Sequence, residues 1–162
     1  MVAAMSAIAF RVVGVPQPKG SMKAFQARGM KFPIVTESNR NVRSWSQLVA
    51  QAASHRLSVA PEAALLEGPV HVELHFVLPR PKSLARKVAA HCKKPDLDKL
   101  TRAVLDALTG VVYHDDAQVV DLVTSKHYAD AHQPPCVDVI IRDALGYVQA
   151  DPRARYEARH AD

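Results

Sequence analysis

Two pairs of aspartates stand out for the chemistry they could do: Asp96-Leu97-Asp98 and Asp115-Asp116. Carboxylates gathered without lysines to neutralise them repel one another, so a cluster of three or four normally requires a cation. Oxygen-only ligands favour Mg²⁺ or Mn²⁺ over zinc. An ion held that way lowers the pKa of a bound water and offsets charge building on a phosphodiester under in-line attack, which is nuclease chemistry. Purely local roles are open to the same residues. Asp96 is a natural helix N-cap, Asp98 in a first turn complements the helix dipole, and Asp-Asp is a common turn. Arg102 lies four residues after Asp98, on the same helix face; it either reaches a phosphate or joins Asp98 and Asp106 in an ion-pair ladder.

The basic residues surround these acids unevenly. Met1 to Thr36 contains no acid but carries Arg11, Lys19, Lys23, Arg28 and Lys31. A second acid-free stretch carries Arg80, Lys82, Arg86, Lys87, Lys93 and Lys94 and runs directly into Pro95-Asp96. With a formal net charge of +5, the chain suits a polyanionic partner, although solvated basic loops give the same total. Metal-binding acids beside loops able to reach phosphates are what a nuclease needs.

Elements must position these groups, and the hydrophobic pattern supplies them. Ile8 to Val13 reads as a strand stopped by Gly14, and Lys19 to Phe32 as a loop or irregular hairpin. Val42, Trp45, Leu48, Val49 and Ala52 recur at helical spacing over about 42–57, with Asn39 or Asn41 as N-cap. Val70, Val72, Leu74, Phe76 and Leu78 alternate with polar residues as in a half-buried strand. A second helix follows Pro95 with Leu97, Leu100, Val104 and Leu108 as its buried stripe and Gly110 as its stop. Val111 to Tyr113 reads as short and extended, His114 to Asp116 as a turn, and Val119 to Tyr128 and Val137 to Arg142 as strands, the last two an antiparallel pair. The expected fold is therefore α/β: a single compact domain over 1–150 with a mixed sheet of about four main strands and two main helices, ordered β α β α β β. The polar tail 151–162 should be loosely held.

Composition excludes several classes. At 162 residues, 48% hydrophobic and 23% charged, widespread disorder is ruled out. Cys92 and Cys136, the two cysteines, fit neither a disulfide framework nor a zinc site, and His91 beside Cys92 lacks further ligands at sensible spacing. His114 reads as an exposed turn histidine and Trp45 as helix packing. Neither a secretory signal nor the roughly 18 apolar residues of a membrane span is present, so a soluble, cytoplasmic protein with no membrane partner is expected.

The run Pro95-Asp96-Leu97-Asp98-Lys99-Leu100, continuing through Ala103-Val104-Leu105-Asp106-Ala107-Leu108-Thr109-Gly110 to Asp115-Asp116-Ala117-Gln118-Val119-Val120, resembles the RusA-type Holliday-junction resolvases of bacteria and their phages. Val15-Pro16-Gln17-Pro18-Lys19-Gly20 is similar to that family's basic N-terminal loop, so the resemblance extends over roughly Ile8 to Arg142. It implies a small α/β homodimer that binds four-way DNA junctions and, with Mg²⁺ or Mn²⁺, nicks two opposed strands in recombination and repair. The family's essential carboxylates fall on Asp96, Asp98 and Asp116, the metal ligands, with Asp115 beside them. The catalytic lysine position is occupied by Arg102, and the residue after the second aspartate, commonly asparagine, is Lys99. Arg102 keeps the charge but cannot lose a proton, so it suits phosphate binding. Lys19, Lys23, Arg28, Lys31, Arg80, Lys82, Lys93 and Lys94 would grip the DNA arms. Two rival readings remain at this point: a non-catalytic DNA-binding or architectural protein, in which the acids are caps and turns, and a hydrolase of small phosphoesters.

Overall fold

The alternation of apolar and polar residues at 70–78 becomes strand β4 (Val70–Leu78), at the heart of a four-stranded mixed sheet in a computed structural model that describes residues 7–25, 32, 34–37, 39–59 and 65–144. Around it lie β1 (Ile8–Val13), the hairpin strands β2 (Met22–Phe25) and β3 (Ile34–Glu37), helix α1 (Val42–Ser58), helix α2 (Leu97–Leu108), β5 (Val119–Tyr128) and β6 (Cys136–Asp143). The α/β architecture with two helices matches the expected class. The basic stretch after Gly20 is a hairpin, β2 pairing antiparallel with β3 as a separate two-stranded sheet. The tail 151–162 lies outside the described residues.

Strand order is β1-β6-β4-β5. The final two strands are therefore not neighbours, contrary to the expected antiparallel pair. β4, α2 and β5 form a crossover unit that makes β5 parallel to β4, and after Pro134-Pro135 β6 returns on the other side of β4, antiparallel to it and to β1. β5 is an edge. Its register slips by one residue between Val70↔Val119 and His71↔Asp121, and Val120 and Leu122 stand 50% and 41% exposed.

Both helices lie on one face of the sheet. Val70, Val72, Leu74, Phe76 and Leu78 of β4, with Val137, Val139 and Ile141 of β6, bury against Trp45, Val49 and Ala53 of α1 and Leu100, Ala103, Val104 and Leu108 of α2. Truncating a side chain such as Leu74 there costs about 2–5 kcal/mol. Trp45 packs as expected, whereas Leu48 of the same stripe is 46% exposed. The segment 111–113, expected to be extended, wraps into a turn instead. The amides of Val111 and Val112 donate to Leu108 O at 3.0 and 2.9 Å, and buried Tyr113 donates its hydroxyl to Leu105 O at 3.1 Å. That large ring closes the end of α2, and burial pushes its phenol pKa up.

The opposite face is polar. His71 bonds Asp121 Oδ2 through Nδ1 at 2.5 Å and Glu73 Oε1 through Nε2 at 3.0 Å, while Arg142 donates to Glu73. His75 meets Ser125 Oγ at 2.8 Å, and Arg11 grips Asp138 with two hydrogen bonds of 2.6 and 2.8 Å.

Candidate active site at the amino end of α2

Helix α2 begins directly after Pro95, which lacks an N–H and so ends what precedes it. Asp96 occupies the N-cap position with an extended backbone, yet its carboxylate makes no capping hydrogen bond. The nearest cation is Lys99 Nζ, 3.5 Å from Asp96 Oδ2. Asp98, one residue into the helix, is exposed and, among the described residues, has neither an ion pair nor a hydrogen bond. A capping role would have engaged these oxygens; they face solvent instead.

The ladder from Asp98 through Arg102 to Asp106, the alternative to phosphate binding by Arg102, does not form. Asp106 is taken by Lys19, whose Nζ donates to it from the N-terminal loop, and Arg102 extends into solvent without an ion-pair partner among the described residues. Lys19 thus acts as a strut. Its backbone N–H also donates to Lys99 O at 2.9 Å, Asn39 Nδ2 donates to Pro18 O at 2.8 Å, and Gly14 N–H donates to Pro135 O at 2.9 Å. The 14–21 loop is seated on α2, on the start of α1 and on the sheet.

Two openings flank that loop. The larger, about 780 Å³, has Asp96 at its edge with Lys19, Lys93, Lys94 and Lys99. The smaller, about 220 Å³, holds Asp98 and Arg102 and shares Lys19, Gly20, Ser21 and Lys99 with the first. Lys82, Lys93 and Lys94 are exposed in the loop leading to α2. Arg80 is instead a bracket: it donates to Ala129 O at 2.9 Å and Ala85 O at 3.0 Å, with its guanidinium 5.4 Å from the centre of the Tyr128 ring. Arg28, Lys31 and the side chain of Lys23 lie outside the described residues.

Lys126 was missed in reading the sequence. It sits on β5 in register with Phe76, on the helix-bearing face, and its Nζ donates to Lys93 O and Pro95 O at 2.8 Å each. This holds the segment that delivers Asp96. The available signal was a lysine on the same face of the strand as Leu122 and Tyr128.

The second acidic pair is elsewhere. Asp115 caps a single 3₁₀ turn (Asp116–Gln118), accepting from Ala117 N–H at 2.8 Å, while Gln118 Oε1 accepts from Asp115 N–H at 3.0 Å and its amide donates to Leu66 O and Gly68 O at 2.8 Å. His114, exposed as expected, meets Glu67 at 3.1 Å. Asp116 is exposed there, close enough to raise the Tyr113 pKa alongside burial. α2 has 12 residues and so spans about 18 Å, and from Val119 to Lys126 β5 climbs about 23 Å. Asp116 therefore stands at the opposite end of the β4-α2-β5 unit from Asp96 and Asp98. Among the described residues no group of three or more His, Cys, Asp or Glu side chains is placed to hold one ion. One chain does not bring the three carboxylates together.

No helix among the described residues is long and apolar enough to cross a membrane. Residues 14–142 match the family model described as Endodeoxyribonuclease RusA. The chain is also similar to the uncharacterized protein YqaN of Bacillus subtilis (strain 168), with 34% identity over 154 residues that cover 86% of this chain and 98% of that one. The family match spans the seated loop, both helices and the acids at each end of α2, and on it the chain belongs to the RusA family of endodeoxyribonucleases.

Proposed function

We propose that this nuclease is a Mg²⁺- or Mn²⁺-dependent, structure-specific enzyme that resolves four-way DNA junctions by paired nicks in recombination and repair, and that it works as a homodimer. The observation that carries this reading is the pair of exposed, uncapped carboxylates, Asp96 and Asp98, in a lysine-lined cleft of a RusA-family chain. Asp96 and Asp98 would hold the metal, which when bound supplies a Lewis acid beside the phosphate. Arg102, fork-shaped and without an ion-pair partner among the described residues, would clamp the scissile phosphate, and Lys93, Lys94 and Lys82 would hold the flanking backbone.

The remote Asp116 supports the dimer. Two copies set antiparallel about a two-fold axis would bring the Asp116 end of one unit beside the Asp96 end of the other, and the exposed Val120 and Leu122 offer apolar surface for the second copy to cover. Each site would then comprise Asp96 and Asp98 of one chain and Asp116 of the partner subunit. Paired incisions follow from paired sites.

Mixing inactive variants tests this directly. Asp96→Asn and Asp116→Asn homodimers should each bind a synthetic four-way junction but not cut it. Co-refolded together, they rebuild one intact site per heterodimer and should yield single nicks, abolished by EDTA. No recovered cutting would refute shared sites, and an Asp96→Asn protein that cuts at the normal rate would refute the metal assignment.

A further inference from the structure

A surface helix ordinarily mixes both signs of charge on the side that meets water. Helix α1 does not. Val42, Trp45, Val49 and Ala53 are buried, while Arg40, Arg43, Gln47, Gln51 and His55 stand exposed on the other side, with Leu48 as an apolar member among them. The whole stretch from Ser38 to Pro61 contains neither aspartate nor glutamate. Every charge that this face carries is therefore positive, and its glutamines add amide groups that can donate.

The face is continuous with the cleft at Asp96. Asn39 lines the larger opening together with Asp96, Lys19 and Lys99; it donates through Nδ2 to Pro18 O at 2.8 Å and accepts from the Asn41 N–H at 3.1 Å. The loop that walls the cleft is thereby tied to the first residues of α1, and Arg40 is the next residue along the chain. Neither Arg40 nor Arg43 has an ion-pair partner among the described residues. Their placement also runs against the helix dipole, whose positive end ordinarily gathers acids, because the first turn of α1 has none. An anion brought against this face offsets that repulsion.

We propose that the outward face of α1 is a second DNA contact, a track for the sugar-phosphate backbone of one duplex arm as it leaves the cleft. The proposal rests on the DNA-cutting reading above and adds the surface that holds an arm away from the cut. Charge complementarity names the occupant: arginines and amides on an acid-free face offer donors to phosphate oxygens and nothing that repels them. A protein partner is ordinarily met by a broader apolar centre than Leu48 alone supplies. With 17 residues, α1 runs about 26 Å, the reach of roughly seven backbone steps at about 3.4 Å each. Contacts of this kind carry no base information, so they fix the direction of the arm and not the sequence cut.

The test measures binding of a long-armed four-way junction in EDTA, so that cutting does not intervene. Arg40→Ala combined with Arg43→Ala should weaken binding at least about tenfold and reduce the slope of log affinity against log salt by about 2 per bound chain. Arg40→Lys with Arg43→Lys keeps the charge and should restore the slope. Gln47→Ala with Gln51→Ala removes donors but no charge, and should weaken binding severalfold with the slope unchanged, which charge acting from a distance would not do. Hydroxyl-radical footprints at saturating protein should show backbone protected at the branch and along one arm, and the arginine-to-alanine variant should lose the arm protection alone. All these side chains are exposed, so melting temperatures should hold, or rise where like charge leaves the helix start. Wild-type affinity and slope in the arginine-to-alanine variant, full affinity in the glutamine variant, or a wild-type footprint confined to the branch overturns the track. A variant that changes sedimentation but not DNA binding makes α1 a protein contact and overturns it too. Arm protection in a wild-type protein that never cuts with Mg²⁺ or Mn²⁺ would refute the nuclease reading and leave the track standing.

Discussion

Two regions of this molecule are rich in ionisable side chains, and they differ in what those side chains do for one another. On the open face of the sheet, Arg142, Glu73, His71 and Asp121 form an unbroken chain of hydrogen bonds, and Arg11 and Asp138 form a closed bidentate pair. Burial pushes Glu73 up, but hydrogen bonds from His71 and Arg142 outweigh it and leave its pKa below the ordinary value. At the amino end of α2 the composition is similar, yet among the described residues Asp98 and Arg102 have no ion-pair partner, and Asp96 forgoes its cap. The density of charged groups is the same kind of signal in both places. What separates a site from a strut is whether the protein satisfies the groups itself.

The largest effect that would sharpen this contrast is on catalysis. Asp96→Asn or Asp98→Asn should lower the rate of junction cutting by at least about 100-fold, on the order of 3 kcal/mol of transition-state stabilisation, without lowering the melting temperature. On the sheet face the pattern reverses: Glu73→Ala strips His71 and Arg142 of a shared acceptor and should cost about 1–3 kcal/mol in urea unfolding while the rate per folded molecule is unchanged. A cutting defect in that variant would break the comparison. Lys93→Ala and Lys94→Ala should each weaken binding uniformly across sequences and reduce the slope of log affinity against log salt by about 1. The smallest effect concerns pH. Because folding depresses the Glu73 pKa, its stabilisation is complete above the unfolded value near 4.5 and drains as pH falls through the lower folded value. Glu73→Gln should therefore flatten the acid limb of a stability–pH curve, and an unchanged limb would remove Glu73 from the account.

Much of this was legible in the residues. β1, β4 and both helices follow from clean periods, and the Asp96-Leu97-Asp98 motif reads correctly as the start of α2. The parallel placement of β5 was hidden because alternation fixes a strand's faces and not its neighbours. The turn at 111–113 escaped because Val-Val-Tyr has strand propensity that Tyr113's burial overrides. Lys19 and Arg80 count as basic loop residues in any tally of charge, and only coordinates reveal that Asp106 and two carbonyls have claimed them. The distance from Asp116 to Asp96 is set by helix and strand length together, which local spacing does not disclose.

The seating of the 14–21 loop has a consequence for energetics. Its bonds to Pro135, Asn39, Lys99 and Asp106 order that wall before any partner arrives. Association then does not carry the entropy of organising it, so more of the contact energy survives as affinity than if the loop had to order on binding. Docking here is close to rigid, and its heat-capacity change should reflect the surface covered without an added contribution from folding of the wall.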